Sequence, residues 1–229
     1  MPNTRQKLLR HMADMQFHSG ESLGQALGLS RAAVWKHMQA LQADGLVCEA
    51  VHGKGYRLSV PVEPLDSGVI RLALSSSHAD ALELIVLDET DSTNGHLLAR
   101  AVQRPPHVLV CLAEQQTAGR GRRGRSWQSP YGTSLALSLM WRFEAGAAAL
   151  AGLSLATGVV VAESLEQAGA AGLQLKWPND LVWQGRKLGG ILLEVAGDVT
   201  GPCYVVIGIG LNIATETGHA AMQSVDQPW

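Results

Sequence analysis

Four of the chain's 18 basic residues fall within seven positions, Gly119-Arg120-Gly121-Arg122-Arg123-Gly124-Arg125, directly after an apolar stretch at 107–113. Glycine lets a backbone approach a ligand closely, and arginine forks match phosphate or carboxylate oxygens two at a time. The run contains the spacing Gly-x-Gly-x-x-Gly, but a dinucleotide-binding turn needs a helix opening directly behind it. Behind this run stands Ser126-Trp127-Gln128-Ser129-Pro130-Tyr131-Gly132, which is turn chemistry, and then strand-like residues 133–143. The pattern is that of a flexible cationic loop that meets an anion, with a solvated basic loop as the plainer alternative. Trp127 beside it can stack on a ring or simply pack.

A second group is Lys176-Trp177-Pro178-Asn179-Asp180, followed by Gly185-Arg186-Lys187-Leu188-Gly189-Gly190. A lysine at a strand end beside an Asn-Asp pair can hold a phosphate, with Asp180 left to accept from an amine or to bind Mg2+. Either lysine read alone is an ordinary surface charge. Asp91-Ser92-Thr93-Asn94 has the residue types of a helix N-cap, and the same hydroxyls and amide, if buried, suit a polar uncharged ring. Gly208-Ile209-Gly210-Leu211-Asn212 closes an apolar run on a glycine-rich turn. No HExxH, nucleophile elbow or Walker A sequence is present, and the eight histidines are scattered. Cys48, Cys111 and Cys203 are odd in number and lack CxxC spacing, which argues against structural zinc and a disulfide framework. No apolar run approaches 18 residues and the N-terminus has no apolar leader, so no membrane partner and a cytoplasmic location are expected.

The elements that must carry these groups emerge from periodicity. Apolar stretches at 83–88, 107–113, 133–143, 173–177, 181–184, 189–196 and 203–209 read as strands, with helices at 93–103 and 147–168, giving an α+β domain on a mixed sheet. Ahead of it, Leu8, Met12 and Met15 mark a helix over 4–16. Ser22 precedes a short helix with Leu23, Ala26 and Leu27 inward. Gly28-Leu29-Ser30 makes a turn, and Ser30 caps a helix over 31–43 with Val34, Met38 and Leu41 inward. Arg31, Trp35, Lys36 and Gln39 are left to project outward, and strands at 46–51 and 56–60 flank the turn His52-Gly53-Lys54-Gly55. That layout is a winged helix-turn-helix, whose third helix fits a major groove, with a small helical interaction module as the alternative. Residues 1–57 carry seven Lys/Arg against four acids, a net of +3, while the remainder carries eleven basic against sixteen acidic residues, a net of −5. Ser30, Arg31, Trp35, Lys36 and Lys54 are the candidate DNA contacts. Pro61-Val62-Glu63-Pro64 reads as a stiff linker, dividing the chain into 1–60, a linker at 61–66, and 67–229.

Taken in order and spacing, the segments at 91–94, 116–125, 176–180, 186–190 and 208–212 resemble those of bifunctional biotin protein ligases that also repress the biotin operon. Ser30-Arg31-Ala32-Ala33-Val34-Trp35-Lys36-His37 and Gly53-Lys54-Gly55-Tyr56 resemble that family's recognition helix and wing. The resemblance implies a catalytic domain of class II synthetase type. There biotin and MgATP would give biotinyl-5′-AMP, and a lysine of a carboxylase's biotin carrier domain would take the biotin. It assigns Lys187 and Arg122 to catalysis, and Ser92, Thr93, Asn94, Gln116, Gly119, Arg120, Gly121, Arg122, Lys187 and Gly190 to biotin. Arg120, Arg122, Arg125, Trp127, Lys176, Asn179, Asp180 and Asn212 fall to ATP and the adenylate, with Asp180 as the Mg2+ contact. The adenylate would also be the corepressor, promoting a homodimer on operator DNA. Relatives continue into a small C-terminal β-barrel, so the catalytic domain is expected to be truncated here. A biotin-sensing repressor without transferase activity and a lipoyl-type acyltransferase are the alternatives.

Overall fold

The computed structural model describes residues 4–213 apart from 47, 104–107, 133, 145 and 199–200. Residues 214–229, the end of the expected catalytic domain, lie outside the described residues. The N-terminal unit comprises α1 (Thr4–His11), α2 (Gly20–Leu27), α3 (Arg31–Ala43) and the antiparallel pair β1 (Cys48–Val51) and β2 (Gly55–Leu58). The helix expected over 4–16 ends at His11. Met15 takes a positive φ of 60°, and the Asp14 carboxylate accepts from Gln16 N at 3.0 Å, turning the chain away. The cap of α2 is Ser19, three residues earlier than Ser22; Ser19 Oγ accepts from Ser22 N at 3.0 Å. Ser30 caps α3 as expected, its Oγ accepting from Ala33 N at 3.2 Å. Leu8, Met12, Leu23, Val34, Met38 and Leu41 are buried together, whereas Ala26, expected inward, is exposed.

Segment 61–66 is not a free spacer. Val62 is buried in the N-terminal core, and so is Tyr131, which reaches across from the larger unit. Leu65 N donates to Glu114 Oε1 at 2.5 Å, and Asp66 caps the next helix while pairing with Arg10 at 2.5 Å. Burial of this kind on both sides of the seam joins the two units through one core.

The larger unit adds α4 (Ser67–Ala73) and α5 (Ser76–Ala81), two short helices that periodicity did not reveal. Then come β3 (Leu82–Thr90), α6 (Thr93–Ala101), β4 (Val108–Gln116), β5 (Ser134–Phe143) and α7 (Leu153–Gln167). The chain finishes with β6 (Gln174–Lys176), β7 (Asp180–Trp183), β8 (Arg186–Gly197) and β9 (Cys203–Asn212). The seven strands form one sheet in the order β3-β4-β5-β9-β8-β7-β6, parallel only between β3 and β4. This is the mixed sheet expected. The helix expected from 147 begins at Leu153, behind Gly152 at φ 87°. Helix α7 packs on one face against Leu137, Leu139, Ile207 and Ile191; α6 packs Leu97 and Ala101 on the other, against Leu109, Cys111, Met140 and Val206. The polar cluster ahead of α6 therefore lands on the face opposite α7.

Candidate active site

Strand register builds the floor of the site. Lys176 lies opposite Asp180, Asp180 opposite Gly190, Gly190 opposite Gly210, and Gly210 opposite Ala136. Residues directly opposed in a ladder share a face, so one row crosses five strands. The next row is Leu192, Gly208 and Ser138. Glycine is needed at two of these positions because other side chains occupy the space above them. A Cβ on Gly208 would collide with the Asn94 amide, and one on Gly210 would lie 2.6–2.8 Å from three atoms of the Trp127 indole.

One end of the cleft is polar and uncharged. Ser92, Thr93 and Asn94 are buried, because α6 starts against the sheet with Ser92 as its cap. Gln116 Oε1 accepts from Thr93 N at 2.8 Å and lies 3.1 Å from Thr93 Oγ1. Ser138 Oγ sits 2.7 Å from Thr93 Oγ1 and 2.6 Å from Asn94 Oδ1. Asn94 Nδ2 donates to Leu192 O at 3.3 Å and to Glu194 Oε2 at 2.8 Å. Both ends of the Asn94 amide are thus engaged by protein, and its work is to hold the others. The Ser92 hydroxyl accepts from Gly95 N at 3.3 Å and Arg120 Nε at 3.4 Å, which leaves its own proton to give. Gln116 Nε2 is also unengaged among the described residues. Ser92, Thr93, Gln116, Arg120 and Trp127 enclose a narrow cavity of about 40 Å³ whose spare capacity is donors, the complement of a carbonyl oxygen.

Over this floor lies the cationic segment, folded as a finger. Gln116 bridges Ser129, Trp127 N donates to Gly119 O at 2.8 Å, Arg120 bridges Ser126, and Gly121 N donates to Arg125 O at 2.6 Å. Its tip turns through Arg123 and Gly124, both at positive φ. The flexible loop expected from sequence is therefore a hairpin with its own ladder. Arg120 Nη1 lies 3.0 Å from Glu194 Oε1, and Arg122 Nη1 donates to Asn179 Oδ1 at 3.1 Å, crossing from finger to sheet. Among the described residues, the Arg125 side chain donates only to Arg122 O, at 3.4 Å. Beside the finger a concavity of about 470 Å³ is lined by Arg120, Arg122, Arg123 and Arg125.

At the other end of the floor, Lys187 Nζ lies 2.9 Å from Asp180 Oδ1 and 5.9 Å from the Trp127 ring. Asn212 Nδ2 donates to Lys187 O at 3.2 Å. Among the described residues, Trp127 Nε1 and Asn212 Oδ1 are buried without a partner, a donor and an acceptor held beside the cleft. Unmet buried polar atoms are costly, so a site that keeps two of them suits a ligand that meets them. Lys176 is exposed at the rim. No cluster of three or more His, Cys, Asp or Glu side chains able to hold a metal occurs among the described residues.

A profile of the biotin/lipoate A/B protein ligase family matches residues 86–212, and a helix-turn-helix domain profile matches residues 4–57. The chain belongs to the biotin/lipoate A/B protein ligase family. It is similar to the bifunctional ligase/repressor BirA of Salmonella typhimurium, 47% identical over 90% of this chain and 63% of the relative. Similarity to BirA of Escherichia coli is 45% over 97% of this chain and 67% of the relative. The chain thus spans about two thirds of the length of these curated relatives, 63% and 67%. A solved biotin protein ligase from Aquifex aeolicus in complex with biotin and ATP superposes with a TM-score of 0.51 and 33% identity, covering 62% of this chain and 56% of that one.

Within the biotin/lipoate ligase fold, the residues singled out from sequence divide into three groups. Ser92, Thr93, Asn94, Gln116, Arg120 and Trp127 come together in the cavity with Gly190 on its floor. Lys187, Asp180 and Asn212 adjoin it through Trp127 and the strand row. Arg122 and Asn179 form the crossing contact, while Gly119 and Gly121 lie in the finger's ladder and Arg125 faces the concavity beside it. Trp127, assigned by resemblance to the adenine side, lies within the cavity itself, against Gly210. Ser138 and Glu194 were missed. Each had a signal in being a polar residue set among apolar neighbours, Ser138 between Leu137 and Leu139 and Glu194 between Leu193 and Val195.

The helix-turn-helix unit presents its candidate contacts outward. Arg31, Trp35 and Lys36 are exposed on α3, with Trp35 at 57%, and Lys54 is exposed at the wing, its Nζ 5.7 Å over the Phe17 ring. Between helix and wing runs a groove of about 870 Å³ lined by Arg31, Trp35, Gly53 and Tyr56. No described helix is long and apolar enough to cross a membrane.

Proposed function

We propose that the chain makes biotinyl-5′-AMP from biotin and ATP and passes the biotin to a lysine of a carboxylase's biotin carrier domain. We infer also that, in the cytoplasm, the adenylate promotes a homodimer that binds operator DNA through Arg31, Trp35, Lys36 and Lys54. One observation carries the reading: hydrogen-bond donors and a lysine occupy opposite ends of one cleft beneath an arginine-rich finger. A ligand with a neutral carbonyl at one end and a carboxylate at the other, joined to a phosphate, fits that order.

The Ser92 hydroxyl and Gln116 Nε2 would donate to the ureido carbonyl, with Thr93, Asn94 and Ser138 fixing their directions. Lys187 would leave Asp180 to hold the biotin carboxylate against the α-phosphate. Carboxylate oxygen then bonds to phosphorus and pyrophosphate departs. The two anions repel, and fixed cations offset that repulsion without reorganising at the moment of reaction. Arg122 and Arg120 would close the finger over the product, and Lys176 would meet the outer phosphates. Trp127 Nε1 and Asn212 Oδ1 offer a donor and an acceptor to the nucleotide side. Asp180 fits Mg2+, since this ion is commonly held by one or two carboxylates together with substrate phosphates. In the second step the carrier lysine's amine attacks the acyl carbonyl, AMP leaves and the amine loses a proton. Positioning and charge stabilisation suffice, with no covalent enzyme intermediate.

Calorimetric titration with biotin and, separately, with lipoate tests the pocket. Biotin is expected to bind and lipoate, which lacks the ureido carbonyl, is not. Equal binding of both would strip the donor set of its role.

A further inference from the structure

We propose that Glu194 is a positioning residue that ties closure of the arginine finger to the arrangement of donors at the polar end of the cleft. The ligand in this proposal rests on the biotin ligase reading; the clamp itself does not. Glu194 stands on β8 two residues beyond Leu192, opposite Val206, and is the sole acid between Gly190 and Ala196. Its two carboxylate oxygens serve different elements. Oε2 accepts from Asn94 Nδ2 at 2.8 Å, at the start of α6, and Oε1 lies 3.0 Å from Arg120 Nη1, in the finger. Arg120 in turn reaches Ser92 Oγ through Nε at 3.4 Å. Among the described residues, no other carboxylate pairs with an arginine of the finger.

The consequence for the donors is directional. With Asn94 Nδ2 held by Glu194 and Leu192 O, the Asn94 oxygen must face Ser138, and Ser138 lies against Thr93. Thr93 N then fixes Gln116 Oε1, which turns Gln116 Nε2 free. One carboxylate therefore sets both how the finger lies and which polar atoms remain for a ligand. Glutamine at this position matches glutamate in shape, yet it has a single acceptor oxygen for two donor partners. Glu194→Gln must break either the Asn94 or the Arg120 contact.

The finger carries its own reporter, because trypsin cuts after Arg122, Arg123 and Arg125. In Glu194→Gln we expect cleavage within the finger to accelerate roughly tenfold, the low end of the scale for one charged hydrogen bond because the site is half-buried, and biotin affinity to weaken by a similar factor. Arg120→Gln should accelerate cleavage alike, and the double variant should be no faster than either single one, since both remove the same interaction. If Glu194→Gln does not fold, Arg120→Gln and Glu194→Asp provide the same comparison, the shorter acid reaching one partner at most. Unchanged cleavage and affinity in Glu194→Gln overturns the proposal, and so do multiplicative effects in the double variant. Should the wild-type chain fail to bind biotin, the ligase reading falls, while the cleavage comparison in the free protein still decides the role of Glu194.

Discussion

Gly210→Ala is the sharpest steric probe of the cleft. Gly210 sits in mid-sheet between Ala136 and Gly190, and its φ is not positive, so alanine meets no backbone strain. The new methyl would lie 2.6 Å from Trp127 Cε2 and 2.8 Å from Cζ2 and Nε1. Non-bonded carbons settle at roughly 3.5–4.0 Å, so the indole must retreat by about 1 Å. It cannot slide with its backbone, because Trp127 N is bonded to Gly119 O at 2.8 Å in the finger's ladder. Overpacking of this size costs about 1–3 kcal/mol. If that falls on the closed cleft, biotin affinity drops by roughly 5- to 150-fold. Calorimetric titration with biotin reads the loss. Trp127→Phe shortens the ring system at the point of collision, so Gly210→Ala with Trp127→Phe should bind better than Gly210→Ala alone. Wild-type affinity in Gly210→Ala, or losses that simply add in the double variant, would refute the close approach of Trp127 to β9.

Burial raises the Glu114 carboxyl to about 7, opposed by the Leu65 N–H and reinforced by the charge of Asp88. A carboxyl raised in the folded state favours the protein below its unfolded value, so stability should fall as pH rises from about 4.5 through about 7, by on the order of 3 kcal/mol. Glu114→Gln should flatten that slope in thermal unfolding between pH 5 and 8; an unchanged slope would place the titration elsewhere. Lys187→Ala should raise the adenylation barrier by on the order of 2–4 kcal/mol, measured as single-turnover adenylate formation, and an unchanged rate removes Lys187 from the mechanism. Arg31→Ala combined with Lys36→Ala should weaken operator DNA binding and lower the log–log salt slope by about 1 for each phosphate no longer neutralised. Biotin affinity should stay as it was, and a parallel loss there would contradict separate sites.

Much of the fold was readable in the chain. Alternating and continuous apolar runs placed all seven strands of the large sheet, because sheet burial imposes those patterns directly. Ser30 declared the start of α3 because a cap is a local interaction. The short helices α4 and α5 left no trace, since neither buries a residue of its own, and of the two only α4 has a side-chain cap, from Asp66. The seam between the units was hidden for a related reason: Val62 and Tyr131 enter the N-terminal core through tertiary packing, and a Pro-Val-Glu-Pro run looks like a spacer until its valine is seen buried. In the cleft, residue types gave the polar cluster and the cations. They could not say that Asn94 is fully spent on protein or that Glu194 clamps it, because both facts depend on β8 lying beside α6, about 100 residues away in sequence.

The reaction assigned to this cleft joins biotin to the α-phosphate of ATP. Biotin-dependent exchange of labelled pyrophosphate into ATP measures that step in isolation from the carrier protein. Exchange is expected in the wild-type chain, needing biotin and falling on the order of 100-fold or more in Lys187→Ala. Biotin binding with no exchange, or exchange indifferent to Lys187, would contradict the assignment.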